Sequence, residues 1–220
     1  MVVLVGIQKF QIFFRGFTLG RRKYHKIRKN RRLRANIYIV AEGTVTEPLY
    51  VDQVRNLYEG DAFNLVMINH RKSKNSPKDL LRCMERYLKN VDVHALDMAF
   101  ILLDRDSWTE DDFKLLNNWQ LSNENYHVLI SNPCFEYWLL LHFHPGNGVN
   151  NRDECLRQLK KCLGEYKKNT IIDLTREKIH QAMDRAKTRL QGQSFEDLVN
   201  NHDANSNVYL LFDAIEAFEK

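Results

Sequence analysis

The sequence predicts an α/β fold of three layers: a mostly parallel sheet of about four strands flanked by helices, followed by a helical carboxyl-terminal part. From residue 35 onward, apolar runs of strand length alternate with segments of helical periodicity, which is typical of consecutive βα units. Beyond residue 143 the apolar positions recur only at helical spacing. With 44% hydrophobic and 28% charged residues among 220, the chain is neither collagen-like nor wholly disordered.

Four apolar runs have the length and composition of strands. They lie at residues 37–40, 63–68, 99–103 and 126–130. The third run, AFILL, is the most apolar short segment of the chain. We therefore expect it to be a central strand covered on both faces of the sheet.

Helices are predicted from capping residues and from the spacing of apolar side chains. Thr46 is the predicted N-cap of the first helix, with Pro48 in its first turn. Ser76 followed by Pro77, and Thr109 followed by three acids, predict the starts of the next two helices. Further helical patterns lie at residues 135–143, 156–163, 179–190 and 208–218.

Basic residues are concentrated near the amino terminus. The net charge is +5, yet residues 1–41 contain eleven Lys or Arg and no Asp or Glu. This pattern predicts a basic arm over residues 1–35, ahead of a domain over residues 36–220, that binds the phosphates of nucleic acid without reading sequence. A solubilising tail is the alternative. The predicted contact residues are Arg21, Arg22, Lys23, Lys26, Arg28, Lys29, Arg31, Arg32 and Arg34.

The sequence indicates a cytoplasmic protein without a membrane span. Residues 1–20 are apolar but contain Lys9 and Arg15, and the basic run follows them, which is the wrong order for a secretory signal. This segment could pack on the domain, anchor the chain at a membrane surface, or precede the true start. The four cysteines have neither Cys-x-x-Cys nor zinc-finger spacing, which favours reduced, buried thiols.

Acidic residues follow two of the predicted strands. Glu42 and Gly43 come after the first strand, and Asp104 and Asp106 come after the third. Because the carboxyl ends of parallel strands meet at one edge of a sheet, we expect these three carboxylates to converge there. Clustered carboxylates repel one another, and Mg²⁺ both relieves the repulsion and prefers oxygen ligands. Asp-x-Asp alone also occurs in ordinary surface loops, but its pairing with a strand followed by Glu-Gly is the TOPRIM arrangement.

Four segments resemble the RloB-like family. Residues 39–50 (IVAEGTVTEPLY) resemble its opening motif, and residues 103–106 (LDRD) resemble its second. Residues 131–143 (SNPCFEYWLLLHF) resemble its third motif, which is long enough to be specific. Residues 205–209 (NSNVY) resemble the entry to its final helix, although a proline usual there is absent. The resemblance spans roughly residues 36–220.

This resemblance implies a TOPRIM-like, metal-dependent nuclease that acts in bacterial defence against phage beside an ATPase of the RloA type. Related pairs attack transfer RNA, so the resemblance leaves both RNA and DNA open as substrates. Asp104 and Asp106 would hold Mg²⁺ or Mn²⁺, and Glu42 would complete the metal shell or act as a general acid or base.

Two further candidates come from the later motifs. Glu136 lies in the first turn of a very apolar helix, where a buried acid needs a partner. We expect it to be catalytic, with simple helix capping as the alternative. Lys167, beside Tyr166 at a position that resembles the family, is the expected basic group, although exposed lysines are usually only solvated.

Other polar residues are assigned more modest roles. Glu47 is expected near the site or as a charge favoured by the start of its helix. Asn132 is the predicted N-cap of the fourth helix. Trp108 is expected either to stack on a base or to pack in the core. His142 and His144 are not assigned to a metal.

Two alternatives to a nuclease fit the same residues. One is a binding module in which the acids are structural or regulatory and the basic arm docks on nucleic acid or an acidic partner. The other is a magnesium enzyme that acts on small nucleotides rather than polymers, such as a phosphatase or nucleotidyl transferase.

Overall fold

The structure is a computed structural model that describes residues 34–58, 60, 62–70, 75–105, 108–200 and 203–219. All of the described residues lie in one compact unit. Five strands occur among them: β1 (Ala35–Ala41), β2 (Phe63–Met67), β3 (Met98–Asp104), β4 (Tyr126–Asn132) and β5 (Asn205–Ser206). They form a single sheet in the order β2-β1-β3-β4-β5. The first four strands are parallel, and β5 is antiparallel to β4. The predicted mostly parallel sheet is therefore confirmed.

Helices connect the strands and form the carboxyl-terminal part. They are α1 (Thr46–Leu57), α2 (Pro77–Leu88), α3 (Glu110–Leu121), α4 (Phe135–Leu141), α5 (Arg152–Leu163), α6 (Arg176–Leu190), α7 (Phe195–Asn200) and α8 (Tyr209–Glu219). The predicted caps at Ser76 and Thr109 are confirmed, because each hydroxyl accepts a hydrogen bond from the backbone N–H three residues later. The N-cap predicted at Thr46 is wrong. Val45 holds that position, and the Thr46 hydroxyl instead donates to the Lys168 carbonyl oxygen at 3.1 Å.

The core lies on both faces of the sheet, so the fold has the three predicted layers. Side chains alternate along each strand. In β1, Ile37 and Ile39 pack with α1, α4, α6 and α8, whereas Tyr38 and Val40 pack with α2 and α3. The central strand β3 is buried on both faces, as its AFILL sequence predicts.

The outer edge of β4 is covered by β5 and by the residue that follows it. Ser131 lies opposite Ser206 in the antiparallel pair. Next along, the Asn207 side chain accepts a hydrogen bond from the Ile130 N–H at 2.6 Å and donates to the Val128 carbonyl oxygen at 3.0 Å. One amide side chain thus occupies the place that the backbone of a longer strand would take.

A chain of hydrogen bonds crosses the core between α1 and α4. The Trp138 indole N–H donates to the Tyr50 hydroxyl at 2.9 Å, and this hydroxyl lies 3.0 Å from Nε2 of His142. Nδ1 of His142 lies 2.9 Å from the Trp138 carbonyl oxygen. Because that oxygen can only accept, Nδ1 carries the proton, and Nε2 of the neutral ring accepts from Tyr50. His142 is therefore a satisfied core residue.

The free energy of unfolding is expected to depend more strongly on pH in the wild-type protein than in His142→Gln. Between pH 7.5 and pH 5 it should fall by about 2 kcal/mol more in the wild-type protein. Burial, with a smaller effect of Arg185 and Lys178, lowers the pKa of His142 from 6.5 to about 4. Below pH 6.5 the imidazole of His142 therefore binds a proton in the unfolded chain, whereas in the folded chain it stays neutral until about pH 4. Proton binding to the unfolded chain alone favours unfolding as the pH falls. Urea unfolding of both proteins at both pH values measures the difference.

Equal pH dependence in the two proteins would contradict this prediction. If His142→Gln does not fold, the proton resonances of the His142 ring in the wild-type protein provide the second measurement. They should show no titration above about pH 5.

Candidate functional site

A cavity of about 350 Å³ opens at the carboxyl edge of the sheet. Four acids and two cations are among the described residues that line it. The lining consists of Glu42, Gly43, Thr44, Val45, Thr46, Glu47, Asn75, Asp104, Phe135, Glu136, Arg152 and Lys168. The structure thus brings Glu42, Asp104 and Glu136 together, as the sequence predicts.

Strand topology places the acids at this edge. β1 ends at Ala41, and the Glu42 N–H still donates to the Leu102 carbonyl oxygen of β3 at 2.9 Å, so Glu42 leaves the sheet beside the end of β3. Asp104 is the last residue of β3. Glu136 reaches the same edge because α4 begins three residues after the end of β4.

Backbone N–H groups hold three of the four carboxylates in place. The Phe135 N–H donates to Oδ1 of Asp104 at 2.7 Å. The Asp104 N–H donates to Oε2 of Glu42, and the Gly43 N–H donates to Oε1 of Glu47, both at 3.2 Å. Backbone groups at the ends of strands and helices, or in the short segment between β1 and α1, therefore orient these three side chains.

Glu136 has two partners that the sequence analysis did not name. Its side chain is 4% exposed. The Tyr166 hydroxyl donates to its Oε1 at 3.4 Å, and Nη2 of Arg152 lies 3.7 Å from its Oε2. Nη1 of Arg152 lies 3.7 Å from Oδ2 of Asp104, so one guanidinium faces both acids.

The cavity disfavours the full negative charge of its acids. Burial, followed by repulsion from Glu47, Glu42 and Glu136, raises the pKa of Asp104 from 3.8 to about 8, against the opposing effect of the Phe135 N–H. Burial and the charges of Glu136 and Glu42 also raise the pKa of Glu47. A positive charge in the cavity would therefore be stabilised by the acids around it.

The donor chemistry of the cavity fits a hard cation such as Mg²⁺, which commonly takes one or two protein carboxylates and completes its shell with water. Glu42 and Asp104 are the described members of the predicted metal set. Across the part of the chain that the structure describes, no group of three or more His, Cys, Asp or Glu side chains is arranged to hold a metal ion. Asp106, the third predicted ligand, lies outside the described residues.

The basic residues lie differently from the prediction for Lys167. Lys167 is exposed and is not among the residues that line the cavity, whereas its neighbour Lys168 is. Tyr166, the other member of the predicted pair, is buried and reaches Glu136. The pattern at these positions therefore located the correct segment and one side chain that contacts an acid, Tyr166, but the lysine that lines the cavity is Lys168 rather than Lys167.

Trp108 and Asn132 support the structure around the cavity. The half-buried Trp108 packs on the core, and its indole N–H donates to the Asp104 carbonyl oxygen at 3.0 Å. The N-cap predicted at Asn132 is wrong, because β4 continues through Asn132 and Cys134 precedes the first helical residue. The Asn132 side chain instead donates to the Asp203 carbonyl oxygen at 2.9 Å.

Of the predicted nucleic-acid contacts, Arg34 lies within the described residues and the others lie before them. The described residues begin at Arg34, whose guanidinium donates to the Gly60 carbonyl oxygen at 2.5 Å and to Oδ1 of Asn64 at 3.4 Å. The predicted contacts that lie outside the described residues are Arg21, Arg22, Lys23, Lys26, Arg28, Lys29, Arg31 and Arg32. Within the described ranges, no helix combines the length and apolarity needed to cross a membrane.

The fold and the cavity define an α/β protein with a cluster of acids at the carboxyl edge of a mostly parallel sheet. The chain belongs to the RloB-like family, since the family model described as RloB-like protein matches residues 37–215. The match runs from β1 into α8 and includes all of the described residues that line the cavity. No curated protein and no solved structure matches the chain.

Proposed function

We propose that this protein is a metal-dependent nuclease that cleaves phosphodiester bonds in RNA or DNA. The observation that carries the proposal is the meeting of Glu42, Asp104 and Glu136 in one cavity, where burial and mutual repulsion favour a bound cation. Membership of the RloB-like family supports a role as the effector of an anti-phage defence pair, with an RloA-type ATPase as partner and transfer RNA as one substrate class.

In this proposal, Glu42, Asp104 and Asp106 hold Mg²⁺ or Mn²⁺. When bound, the ion would polarise the scissile phosphate and help to generate the attacking hydroxide. The Phe135 N–H keeps Asp104 aimed into the cavity. The Glu136 side chain is 4% exposed and accepts a hydrogen bond from the Tyr166 hydroxyl, so it is suited to accept or return a proton.

The two cations that line the cavity can bind the negatively charged phosphates of the substrate. Arg152 and Lys168 both line it, and Arg152 is 49% exposed, so its guanidinium is accessible to a phosphate. Guanidinium groups bind phosphate oxygens through paired N–H donors. Acids that hold a metal beside cations that hold phosphates are a combination suited to metal-dependent phosphodiester cleavage.

The direct test is incubation of the purified full chain with total RNA and with plasmid DNA, in EDTA, in Mg²⁺ and in Mn²⁺. We expect cleavage products only with a divalent cation. Activity on small nucleotides but on neither polymer would instead select a magnesium enzyme of the phosphatase or nucleotidyl transferase class.

A second candidate function is a non-catalytic binding module of an ATPase-linked complex. The observation in its favour is Arg152, which forms ion pairs with Asp104 and Glu136 from within the chain. Tight, salt-sensitive binding of nucleic acid without cleavage in any of the cation conditions would support this function over the nuclease.

Gly43→Ala is expected to reduce cation-dependent cleavage by roughly tenfold to a hundredfold while changing stability by less than about 1 kcal/mol. A Cβ at Gly43 would lie 2.0 Å from Oε2 of Glu47, so the Glu47 carboxylate must move away. That carboxylate is the end of a flexible side chain, and the fold can therefore be kept. Initial cleavage rates and urea unfolding measure the two effects.

The matched control is Gly60→Ala, because a Cβ at Gly60 would meet nothing within 4 Å. We expect this variant to cleave at the wild-type rate. Wild-type cleavage by Gly43→Ala would show that the position of Glu47 does not matter to the chemistry.

A further inference from the structure

Arg152 occupies the place between two acids that a metal ion would also favour. Its Nη1 lies 3.7 Å from Oδ2 of Asp104, and its Nη2 lies 3.7 Å from Oε2 of Glu136. The two carboxylates are 14% and 4% exposed, whereas the arginine side chain is 49% exposed. The guanidinium thus enters from the solvent side, while the acids form the floor of the cavity.

The two contacts of Arg152 with Asp104 and Glu136 are ion pairs rather than close hydrogen bonds, since both distances exceed the usual range for N–H···O contacts. Half-exposed pairs of this kind are weak, because water screens them and a long side chain loses entropy when it is held. These two pairs therefore oppose the departure of the guanidinium from the acids only weakly.

The position of Arg152 in its helix also argues against a role in stabilising that helix. It is the first residue of α5, directly after the N-cap Asn151. The amino end of a helix carries a partial positive charge, which disfavours a cation there. The two acids that follow, Asp153 and Glu154, are the residue types that this position favours. The placement of the guanidinium is thus accounted for by Asp104 and Glu136 rather than by α5.

We infer that Arg152 is an internal counter-ion that a divalent cation replaces. The guanidinium and the cation compete for the carboxylate of Asp104, beside which Glu136 lies. In the metal-free cavity Arg152 offsets part of the negative charge of the acids, and cation binding frees it toward the cavity mouth. This inference rests on the proposed metal site. Arg152 thus sets the affinity of the site for a cation without being a ligand of that cation.

Removal of the Arg152 guanidinium is therefore expected to tighten cation binding. Titration calorimetry with Mn²⁺ alone should give a dissociation constant about tenfold lower for Arg152→Ala than for the wild-type protein. The matched control is Arg157→Ala, which removes an exposed arginine from the same helix outside the cavity lining. Its dissociation constant should stay within about twofold of the wild-type value.

Thermal unfolding gives an independent second measurement. Without cation, Arg152→Ala should melt below the wild-type protein, because Asp104 and Glu136 lose their counter-charge. Saturating Mn²⁺ should then raise its melting temperature by more than it raises that of the wild-type protein. If Arg152→Ala does not fold without cation, Arg152→Gln removes the same charge with less loss of volume and should show both effects.

The outcomes separate this inference from the proposed function. Equal or weaker Mn²⁺ binding by Arg152→Ala, beside measurable binding by the wild-type protein, would overturn the role of Arg152 and leave the metal site standing. Absence of Mn²⁺ binding in the wild-type protein and in both Arg152 variants would overturn the metal site and this inference together.

Discussion

Replacement of Asp104 by asparagine is expected to reduce cation-dependent cleavage by roughly a thousandfold or more. The asparagine side-chain oxygen can still accept the Phe135 N–H that holds Oδ1 of Asp104 at 2.7 Å. The variant therefore keeps the shape of the cavity and loses only the charge that would bind the metal. Initial rates on RNA and DNA substrates in Mg²⁺ and in Mn²⁺ measure the loss.

The same variant should be no less stable than the wild-type protein. Burial and the neighbouring acids raise the pKa of Asp104 to about 8, so a charge at this position is unfavourable in the folded chain. A neutral amide removes that unfavourable charge. We expect a melting temperature equal to that of the wild-type protein or a few degrees higher.

Glu124→Gln is the matched control for Asp104→Asn. Glu124 is an exposed acid in the turn before β4, at the opposite edge of the sheet. Its replacement should leave both cleavage and melting temperature unchanged. Full activity of purified Asp104→Asn would end the proposal that Asp104 serves the reaction.

Trp138→Ala is expected to cost about 3–5 kcal/mol of stability, the largest loss from any single change proposed for this fold. Trp138 is fully buried in α4. Its ring stacks on Phe212 with centroids 5.7 Å apart, and its indole N–H donates to the Tyr50 hydroxyl. Truncation therefore opens a large cavity and removes a donor from the buried chain of hydrogen bonds. Urea unfolding at pH 7.5 measures the loss.

Two further variants accompany Trp138→Ala, one as an exposed control and one as a milder change at the same position. Leu121→Ala removes a side chain that is 75% exposed and should change stability by less than about 0.5 kcal/mol. If Trp138→Ala does not fold, Trp138→Phe keeps most of the ring volume and should cost about 1–3 kcal/mol, chiefly through the lost hydrogen bond. A loss below 1 kcal/mol in Trp138→Ala would show that the buried ring of Trp138 and its hydrogen bond to Tyr50 do not stabilise the fold as expected.

The strands and the starts of α2 and α3 could be predicted because each depends on local chemistry, whereas the caps predicted at Thr46 and Asn132 were wrong. The AFILL run identifies β3 since a strand covered on both faces needs apolar residues at successive positions. Ser76 and Thr109 identify the starts of α2 and α3 because a hydroxyl there satisfies a free N–H. By contrast, β5 has only two residues and α7 has six, too short for a periodic pattern to appear.

The acids of the cavity could be predicted, and most of their partners could not. Glu42, Asp104 and Glu136 each lie at the end of a parallel strand or shortly after it, and parallel topology brings such positions together. Arg152 and Tyr166 reach the cavity through the packing of α5 and the turn after it. That packing depends on long-range contacts between helices, for which the residues near Arg152 carry no local signal.

The short strand β5 and Asn207 also bear on how the molecule behaves in concentrated solution. An open strand edge presents free N–H and C=O groups that can recruit the same edge of another molecule into a continuous sheet. At β4 those groups are already taken by Ser206 and by the side chain of Asn207. A single amide side chain thus protects this side of the sheet against intermolecular strand pairing.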